Sequence, residues 1–539
     1  MAHSTFLSLP PEVCIQILIL VSWKTLIHSK RVSKAFLRLL QSSPVEYQIR
    51  LGIAGYEQNN VDYEISVKER IELLDRIERP FRAAKFPSVV PIKLVMNAAF
   101  DGQCASCDLR DGFYVEGRAS EEQGMELYTF GATVHRLPSA LHPLGSSWIL
   151  PDFKYPIRDF TSSPHNDLLV TVEETLPFNG EALTVLRFLS LSDGRPHPQS
   201  CAEFVLQGQL DGDIPAEFYV IIIIGDLVCL LAGRWYFTIL NWKTGQSLVR
   251  WHDEVRDVIF LHNARFAILK TDQEIMELIV YSFDPRELGA VPPTPHAIYQ
   301  LPALTRAPLY ISCHCDPPPF GMYRNDNSIS TVFTPLPFSP RLEDRALWIN
   351  MVIQDPNLED PVAYALIFRA ETLLRDEVTG VTEWRDHIPV VSGSCWMHET
   401  YFGELPSDNY KPFFTYGSRM VYQQSQSNAG TTSRGLYLLD CNPSFVAMVQ
   451  ANSTTKSAFF DEFGPLDAGW VVKRSIRVSA GDIVSEDWVG DLPISWRKIE
   501  HSPVEYIVGS MMDGERIITV HSSDPTQPDD LTHISVHVR

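Results

Sequence analysis

The strongest constraint on the fold of this chain is a change of texture near residue 86. Before it, apolar residues recur at helical spacing. After it, short β-branched or aromatic segments recur, each bounded by Gly, Pro, Asn or Asp. Segments 168–172, 183–191, 220–224, 227–231, 236–240, 258–261, 266–269 and 278–283 are of this kind, as are 348–352, 363–368, 436–439, 517–520 and 534–538. Several run into a polar turn: Leu191-Ser192-Asp193-Gly194, Leu240-Asn241-Trp242-Lys243-Thr244-Gly245, Phe283-Asp284-Pro285 and Leu439-Asp440-Cys441-Asn442-Pro443. The first three turns are about 45 residues apart and the fourth lies about three steps further on, a period that predicts four-stranded propeller blades. A pair of β-sandwiches with coincidental turn spacing is the alternative. The expected fold is mainly β with a small N-terminal α-helical domain. Helices occupy 5–50, a linker with an amphipathic helix 51–85, and a degenerate β-propeller of about seven blades 86–539. Segment 291–340 interrupts the pattern with 11 prolines. Proline cannot donate to a sheet ladder, so most of this stretch is expected as loop.

Charge divides the chain in the same place. The formal net charge over 539 residues is −21. Residues 1–50 carry Lys24, Lys30, Arg31, Lys34, Arg38 and Arg50 against Glu12 and Glu46, leaving a strongly acidic remainder. Such a body repels phosphate, which argues against nucleic acid and anionic membrane as partners and favours a basic target surface. The longest apolar runs, 13–21 and 219–232, fall short of the ~20 residues a membrane span needs. The N-terminus reads as lacking a secretory leader, so the nine cysteines are expected as reduced thiols of a cytoplasmic and/or nuclear protein.

The first fifty residues are too greasy for their size. Pro10 and Pro11 fall where a first helical turn has no donors to lose, and Glu12 follows at the positive helix end. Val13, Ile17, Leu20 and Val21 take helical spacing, as do Val32, Ala35, Phe36 and Leu39 over 31–40, with Lys30, Arg31, Lys34 and Arg38 opposite. Ile15, Ile19, Leu26, Ile27, Leu37 and Leu40 lie off these stripes and widen each apolar face. Units below about 70 residues rarely bury enough surface alone, so this head is expected to complete its core on another protein. Over 64–82, Ile71, Leu74, Ile77 and Phe81 form a stripe that Pro80 bends or ends, which reads as a linker helix packed on the next domain.

Taken together, Leu9-Pro10-Pro11-Glu12-Val13, Ile17-Leu18-Ile19-Leu20, Leu26, Arg31-Val32-Ser33-Lys34-Ala35-Phe36 and Leu39 resemble the F-box. That pattern has Leu-Pro, an acidic-hydrophobic pair, Ile-Leu one turn on, and a Val-Ser/Cys-Lys/Arg-x-Trp/Phe segment downstream. Thr25 stands where the family often has Asp. The resemblance implies binding to the Skp-type adaptor of a cullin–RING ubiquitin ligase through Leu9, Pro10, Val13, Ile17, Leu18, Leu26, Val32 and Phe36. The layout is also similar to poorly characterised fungal F-box proteins with a helix at the position of 64–82 and a propeller-like body. It implies a non-catalytic substrate receptor holding an unknown protein target on the β body. The alternatives are an adaptor-bound scaffold outside a ligase and a propeller-type hydrolase.

Other motifs point to chemistry less well. Ser392-Gly393-Ser394-Cys395-Trp396 resembles the papain-type nucleophile segment, with His521 downstream, but Ser392 replaces the first Cys and no helix is expected there to favour a thiolate. Cys104-Ala105-Ser106-Cys107 and Cys313-His314-Cys315 together have enough ligands for structural zinc, yet lie far apart in sequence and are expected as plain thiols. No P-loop, GxGxxG, HExxH or GxSxG is present. No catalytic residue, metal or cofactor is therefore expected. Trp235, Trp242, Trp251, Trp348, Trp384, Trp396, Trp470, Trp488 and Trp496 are expected mostly in the core between blades, with one or two at a binding face.

Overall fold

The computed structural model describes residues 6–59, 65–93, 106–119, 128–175, 183–201, 203–206, 218–251, 254–272, 275–286, 293–306, 308–316, 336–354, 361–404, 414–428, 431–454, 470–473, 477–478, 488–499, 506–522 and 531–538. Four short helices make the head: α1 (Pro11–Leu18), α2 (Trp23–Ser29), α3 (Lys34–Leu40) and α4 (Ser43–Ala54). The first helix is shorter than its apolar stripe, and the second expected helix begins at Lys34. Ser33 is its N-cap, its Oγ accepting the Phe36 N–H at 3.2 Å. α4 runs straight through residue 50, so the head extends to Gly55, which ends the helix in the left-handed region at φ 80°. α2 docks on α4 at Gly52, where a Cβ would overlap the Trp23 indole. Leu18, Leu26, Leu40, Val45, Ile49 and Ile53 form the head's core.

The linker helix α5 (Val67–Ala83) starts at a capping box. The Glu69 N–H donates to Ser66 Oγ at 3.3 Å, and the Ser66 N–H donates to Glu69 Oε2 at 2.6 Å. Pro80 does not end it; the helix continues to Ala83 and stops at Ala84, φ 45°. Its predicted stripe is buried. Ile71, Leu74 and Ile77 pack on Tyr47 and Leu51 of α4, and Phe81 packs on Val421, Leu438 and Ile517 of the body.

The body is mainly β, and every segment expected as a strand falls in one. An eight-stranded sheet holds Cys107–Arg110 through Phe204–Leu206, and among the described residues the strands of its two halves pair only at Thr129↔Ile157. Next come Tyr219–Ile224, Leu227–Ala232, Tyr236–Asn241 and Gln246–Trp251. Asp257–His262, Arg265–Asp272, Ile275–Ser282 and Thr294–Gln300 follow. Their sheet is widened by a later hairpin, Val381–Arg385 with Ile388–Val391, through the parallel pair Ile298↔Val390. Then come Tyr310–Cys315, Ala346–Ile353, Val362–Arg369 and Thr400–Glu404, and a five-stranded sheet led by Phe414–Tyr416. The last sheet joins both ends of the body: Ser88–Lys93 pairs with Leu531–Val538, Val90 opposite Val536. Apolar clusters link consecutive sheets, and one sets Leu109 and Tyr114 of the first sheet against Ile518 and Ile534 of the last.

The repeat in the sequence has a physical cause. Each anchor carboxylate or amide accepts a backbone N–H two residues on: Asp193 from Arg195 (2.9 Å), Asn241 from Lys243 (3.0 Å), Asp284 from Arg286 (2.9 Å) and Asp440 from Asn442 (2.8 Å). Of the proline-rich stretch, 317–335 lies outside the described residues; the described parts hold three strands. Thr294–Gln300 and Tyr310–Cys315 are sheet strands, Pro295 is tolerated beside a register shift, and Phe338–Pro340 pairs with Tyr56–Gln58 of the head's exit. Trp242, Trp348 and Trp396 are buried as expected, Trp235 and Trp384 are exposed, and the side chain of Trp488 lies outside the described residues. Among the described residues no helix is long and apolar enough to cross a membrane.

Head and body meet around an enclosed charge. Arg419 donates to Glu78 Oε2 of α5 at 2.6 Å and to Asp440 Oδ2 of the body at 3.1 Å, all three side chains being buried. Burial alone would raise the Glu78 carboxyl, but Arg419 and Arg82 hold it below the usual carboxylate range. Arg341 Nη2 donates to the Gly52 carbonyl at 2.9 Å, and Asn442 Nδ2 to the Ile53 carbonyl at 3.0 Å. Glu78→Ala leaves the guanidinium enclosed with one carboxylate. The expected loss is about 3–5 kcal/mol, read as a lower denaturant midpoint; a shift below about 0.5 kcal/mol would mean that Asp440 alone neutralises Arg419.

Candidate functional site

The residues singled out in the head divide between two sides. Leu18 and Leu26 are buried in the head's own core, so they hold the helices together and are closed to a partner. Leu9, Val13, Ile17 and Val32 are exposed, joined by Leu7, Leu20 (84% exposed) and Leu37, which received no site role in the sequence reading. Pro10 is exposed, and its φ of −52° sets up the first turn of α1. Phe36 is half-buried and stacks on Phe6 at 5.4 Å between centroids. This stacking, with α1 packed on α3, brings the exposed apolar residues from the two ends of the head onto contiguous elements. Val13 and Ile17 are one helical turn apart and share a face.

The body covers a different side of the head. Its contacts fall on α4 and the Tyr56–Gln58 strand, at Gly52, Ile53 and Tyr56. Among the described residues nothing encloses Val13 and Ile17 of α1 or Leu7, Leu9 and Leu20 on its flanks.

The other candidates come apart. Cys395 sits in a one-turn helix, Gly393–Trp396, where none was expected, and packs with the apolar cluster around Leu347 and Phe368. His521 is buried in the last sheet, its Nε2 at 2.7 Å from Thr519 Oγ1, which also meets His537 Nε2 at 2.8 Å. The two therefore serve separate cores and form no dyad. In Tyr310–Cys315 the alternation of a strand sends Cys313 and Cys315 to one face and His314 to the other. His314 Nε2 lies 3.0 Å from Ser312 Oγ. Cys104 lies outside the described residues, and among the described residues no His, Cys, Asp and Glu group is arranged to hold a metal.

A set of carboxylates that the sequence did not reveal lines the strands Cys107–Arg110, Ile157–Ser163 and Asp257–His262. Asp108 Oδ2 accepts the Ser162 N–H and Oγ–H at 2.7 Å each, Asp159 Oδ1 accepts from Ser106 Oγ at 2.7 Å, and Asp257 Oδ2 accepts the Cys313 N–H at 2.8 Å. These bonds tie Ile157–Ser163 to Cys107–Arg110 and the residue before it, and Asp257–His262 to Tyr310–Cys315. Burial pushes Asp159 up to about 6 and Asp257 up to about 7, against the pull of these hydrogen bonds. Their part is to join the strands, and no sequence pattern marks it, because every partner lies far away in the chain.

No protein-family model matches the chain, and no curated protein sequence matches it. Among solved structures it is similar to the WD40 domain of Toxoplasma gondii coronin, at 9% identity and a TM-score of 0.33, over 78% of this chain and 88% of that one. A likeness of that size fixes neither fold nor function.

Two measurements check the site. Ile17→Asp is expected to leave stability within about 0.5 kcal/mol, whereas Leu26→Ala lowers it by about 2–5 kcal/mol; equal losses would place both side chains in one core. The raised Asp257 carboxyl favours folding at pH below its unfolded range, and this contribution is lost as pH rises through about 7. His314, lowered to about 4 by burial, works in the opposite sense and is common to native chain and variant. Asp257→Asn is therefore expected to flatten the fall in unfolding midpoint between about pH 5 and about pH 7, relative to the native chain. Parallel pH curves would count against a protonated Asp257.

Proposed function

We propose that this chain is an F-box-type substrate receptor: the head docks a Skp-type adaptor of a cullin–RING ubiquitin ligase, and the body holds a protein target. The observation that carries the reading is the exposure of the apolar side chains Leu9, Val13, Ile17 and Val32 on a head whose α4 side is packed on the body. With Pro10, these are the exposed members of the set that the sequence resemblance singles out. About half of each side chain remains to be covered, so docking gains on the order of 1 kcal/mol from each. Phe36 supports the face from behind, through Phe6.

In this reading the body is a propeller. Divided where only Thr129 and Ile157 pair, the eight-stranded sheet becomes two four-stranded units, and with the remaining large sheets the count reaches seven. Ser88–Lys93 completes the unit made by the chain's last strands, which is how a circular array of sheets fastens its ends. The apolar cluster between first and last sheets and the Asp108, Asp159 and Asp257 ties between first strands support the same arrangement. A propeller rigidly joined to the adaptor-binding head presents a target at a set distance from the ligase. The chain itself contributes docking and geometry, with the transfer chemistry supplied by other subunits in the cytoplasm and/or nucleus.

Co-purification tests this reading. The full chain is expected to retain a Skp-type adaptor, and a Val13→Asp, Ile17→Asp double variant to lose it by roughly a hundredfold while remaining folded. Undiminished binding by the folded double variant would overturn the docking face. Adaptor capture without cullin in the same complex would favour a scaffold outside a ligase.

A further inference from the structure

Three consecutive first strands, from Tyr219–Ile224, Asp257–His262 and Tyr310–Cys315, enclose a cavity of about 670 Å³. Ligand pockets of roughly 300–1,000 Å³ take a drug-sized molecule or one or two large side chains. Its walls combine apolar side chains, Val220 and Ile222 from the first strand, Val258 and Phe260 from the second and Ile311 from the third, with Arg110, Asp257, His314 and Asp316. Val220, Ile222 and Ile311 are only half-buried, although they sit inside strands whose neighbours are wholly enclosed. At the lip, Leu309 is 62% exposed and Tyr310 44% exposed. Trp235, also exposed, follows Arg234 of the rim in the chain, so apolar surface continues beyond the cavity itself.

The rim is cationic in a chain of net charge −21. Arg234 is exposed and has no ion-pair partner among the described residues. Arg256 pairs with Glu254 at 2.9 Å, and its Nε donates to Thr271 Oγ1 at 2.8 Å. The Val255 N–H donates to the Arg234 carbonyl at 2.8 Å, which holds the two rim segments together. Burial and the nearby Arg234 charge both lower Arg256, as befits guanidiniums close enough to repel. Among the described residues Glu254 pairs with Arg256; Arg110, Asp257 and Asp316 lie in the lining; and Arg234 at the rim has no ion pair, so an incoming carboxylate would complement Arg234 beside Arg256.

We propose that this cavity and its rim bind an extended protein segment, which places a bulky apolar side chain between Ile222, Phe260 and Ile311 and a carboxylate on Arg234 and Arg256. The apolar collar of Trp235, Leu309 and Tyr310 extends past the cavity, which suits a chain longer than the pocket and the aromatic and arginine anchors that dominate protein interfaces. This deepens the receptor reading by giving the target a chemistry, yet its test does not pass through the head.

Labelled peptides in which Leu, Phe, Trp or Ala precedes Glu, Gln or Lys between glycine spacers are titrated against the full chain by fluorescence anisotropy. The large apolar residues followed by Glu are expected to bind best, Gln to weaken binding and Lys to abolish it. Arg234→Glu with Arg256→Glu is expected to weaken the Glu peptides at least roughly tenfold, and Ile222→Trp to block them by filling the cavity. Arg234→Gln, at an exposed site, gives the same direction should the core variant fail to fold. Ile17→Asp is expected to leave peptide binding unchanged even where adaptor capture is lost, so the two readings fail separately. Absence of binding by every peptide, Lys peptides binding as well as Glu peptides, or rim variants behaving like the native chain would each overturn the proposal. Octanoate binding without any peptide binding would assign the cavity to small amphipathic acids and overturn it also.

Discussion

A guanidinium shut away from water governs how the two parts of this molecule relate. Arg419 belongs to a body strand, yet its shortest contact, 2.6 Å, is to Glu78 of the linker helix. Asp440 on the adjoining strand takes the Nε side, and the ring of Phe81 lies beneath the charge at 4.6 Å. Removing either carboxylate strands a charge where solvent cannot reach it, a penalty of several kcal/mol in most proteins. The pull on the two acids is unequal: Glu78 is held below the usual range, while burial outweighs Arg419 and leaves Asp440 raised. The site thus favours the ionised form of Glu78 more than that of Asp440, and Glu78 comes from the helical side. The helix cannot leave without exposing the Phe81 cluster and orphaning Arg419 together. Head and body consequently move as one piece around this point.

That attachment decides which face of the head stays open. A bundle of four short helices has more apolar surface than its interior can hold. The body takes the α4 side, where Gly52 lets Trp23 lie flat and Arg341 and Asn442 satisfy carbonyls at the helix end. What remains is the α1 side. Ile17 and Leu18 show how sharply the division falls: adjacent in sequence, one is 40% exposed and the other buried. A pattern of recurring leucines and isoleucines locates the helix, but it cannot say which of two apolar stripes meets the interior when both are apolar. The resemblance to a known motif grouped Leu18 and Leu26 with Ile17 and Val32 for the same reason, since a motif records which positions are apolar and not which way they point.

The β body was legible wherever information is local. Alternating apolar segments became strands, and the Asx turns at Asp193, Asn241, Asp284 and Asp440 left a visible period because a side chain bonding two residues on is a purely local device. What stayed hidden depends on partners far away in the chain. Nothing about 88–93 announces a strand whose mate is Leu531–Val538, nor about 381–391 a hairpin that joins the sheet of Thr294–Gln300. The proline count of 291–340 gave no sign of the strands at Thr294–Gln300 and Tyr310–Cys315, because proline forbids donation at its own position only and leaves the intervening residues free to pair. Asp257 reads in sequence as one acid among many. Its bond to Cys313 appears only when two sheets are brought together.

Net charge misleads at the scale that matters for binding. An overall −21 suggests a basic partner, and over long distances that field does act on approach. Salt shortens its reach to about 8 Å at physiological ionic strength, so a group seated at the cavity senses mainly the charges beside it. Among the described residues those charges are Arg234, Arg256 and Glu254 at the rim, with Arg110, Asp257 and Asp316 in the lining. Steering and seating can therefore favour opposite signs on different parts of one partner: a basic flank drawn to the acidic body, and an acidic residue held at the rim beside an apolar anchor. Charge thus selects by position as well as by amount, and the body's acidity repels uniformly acidic ligands that the two arginines alone would admit.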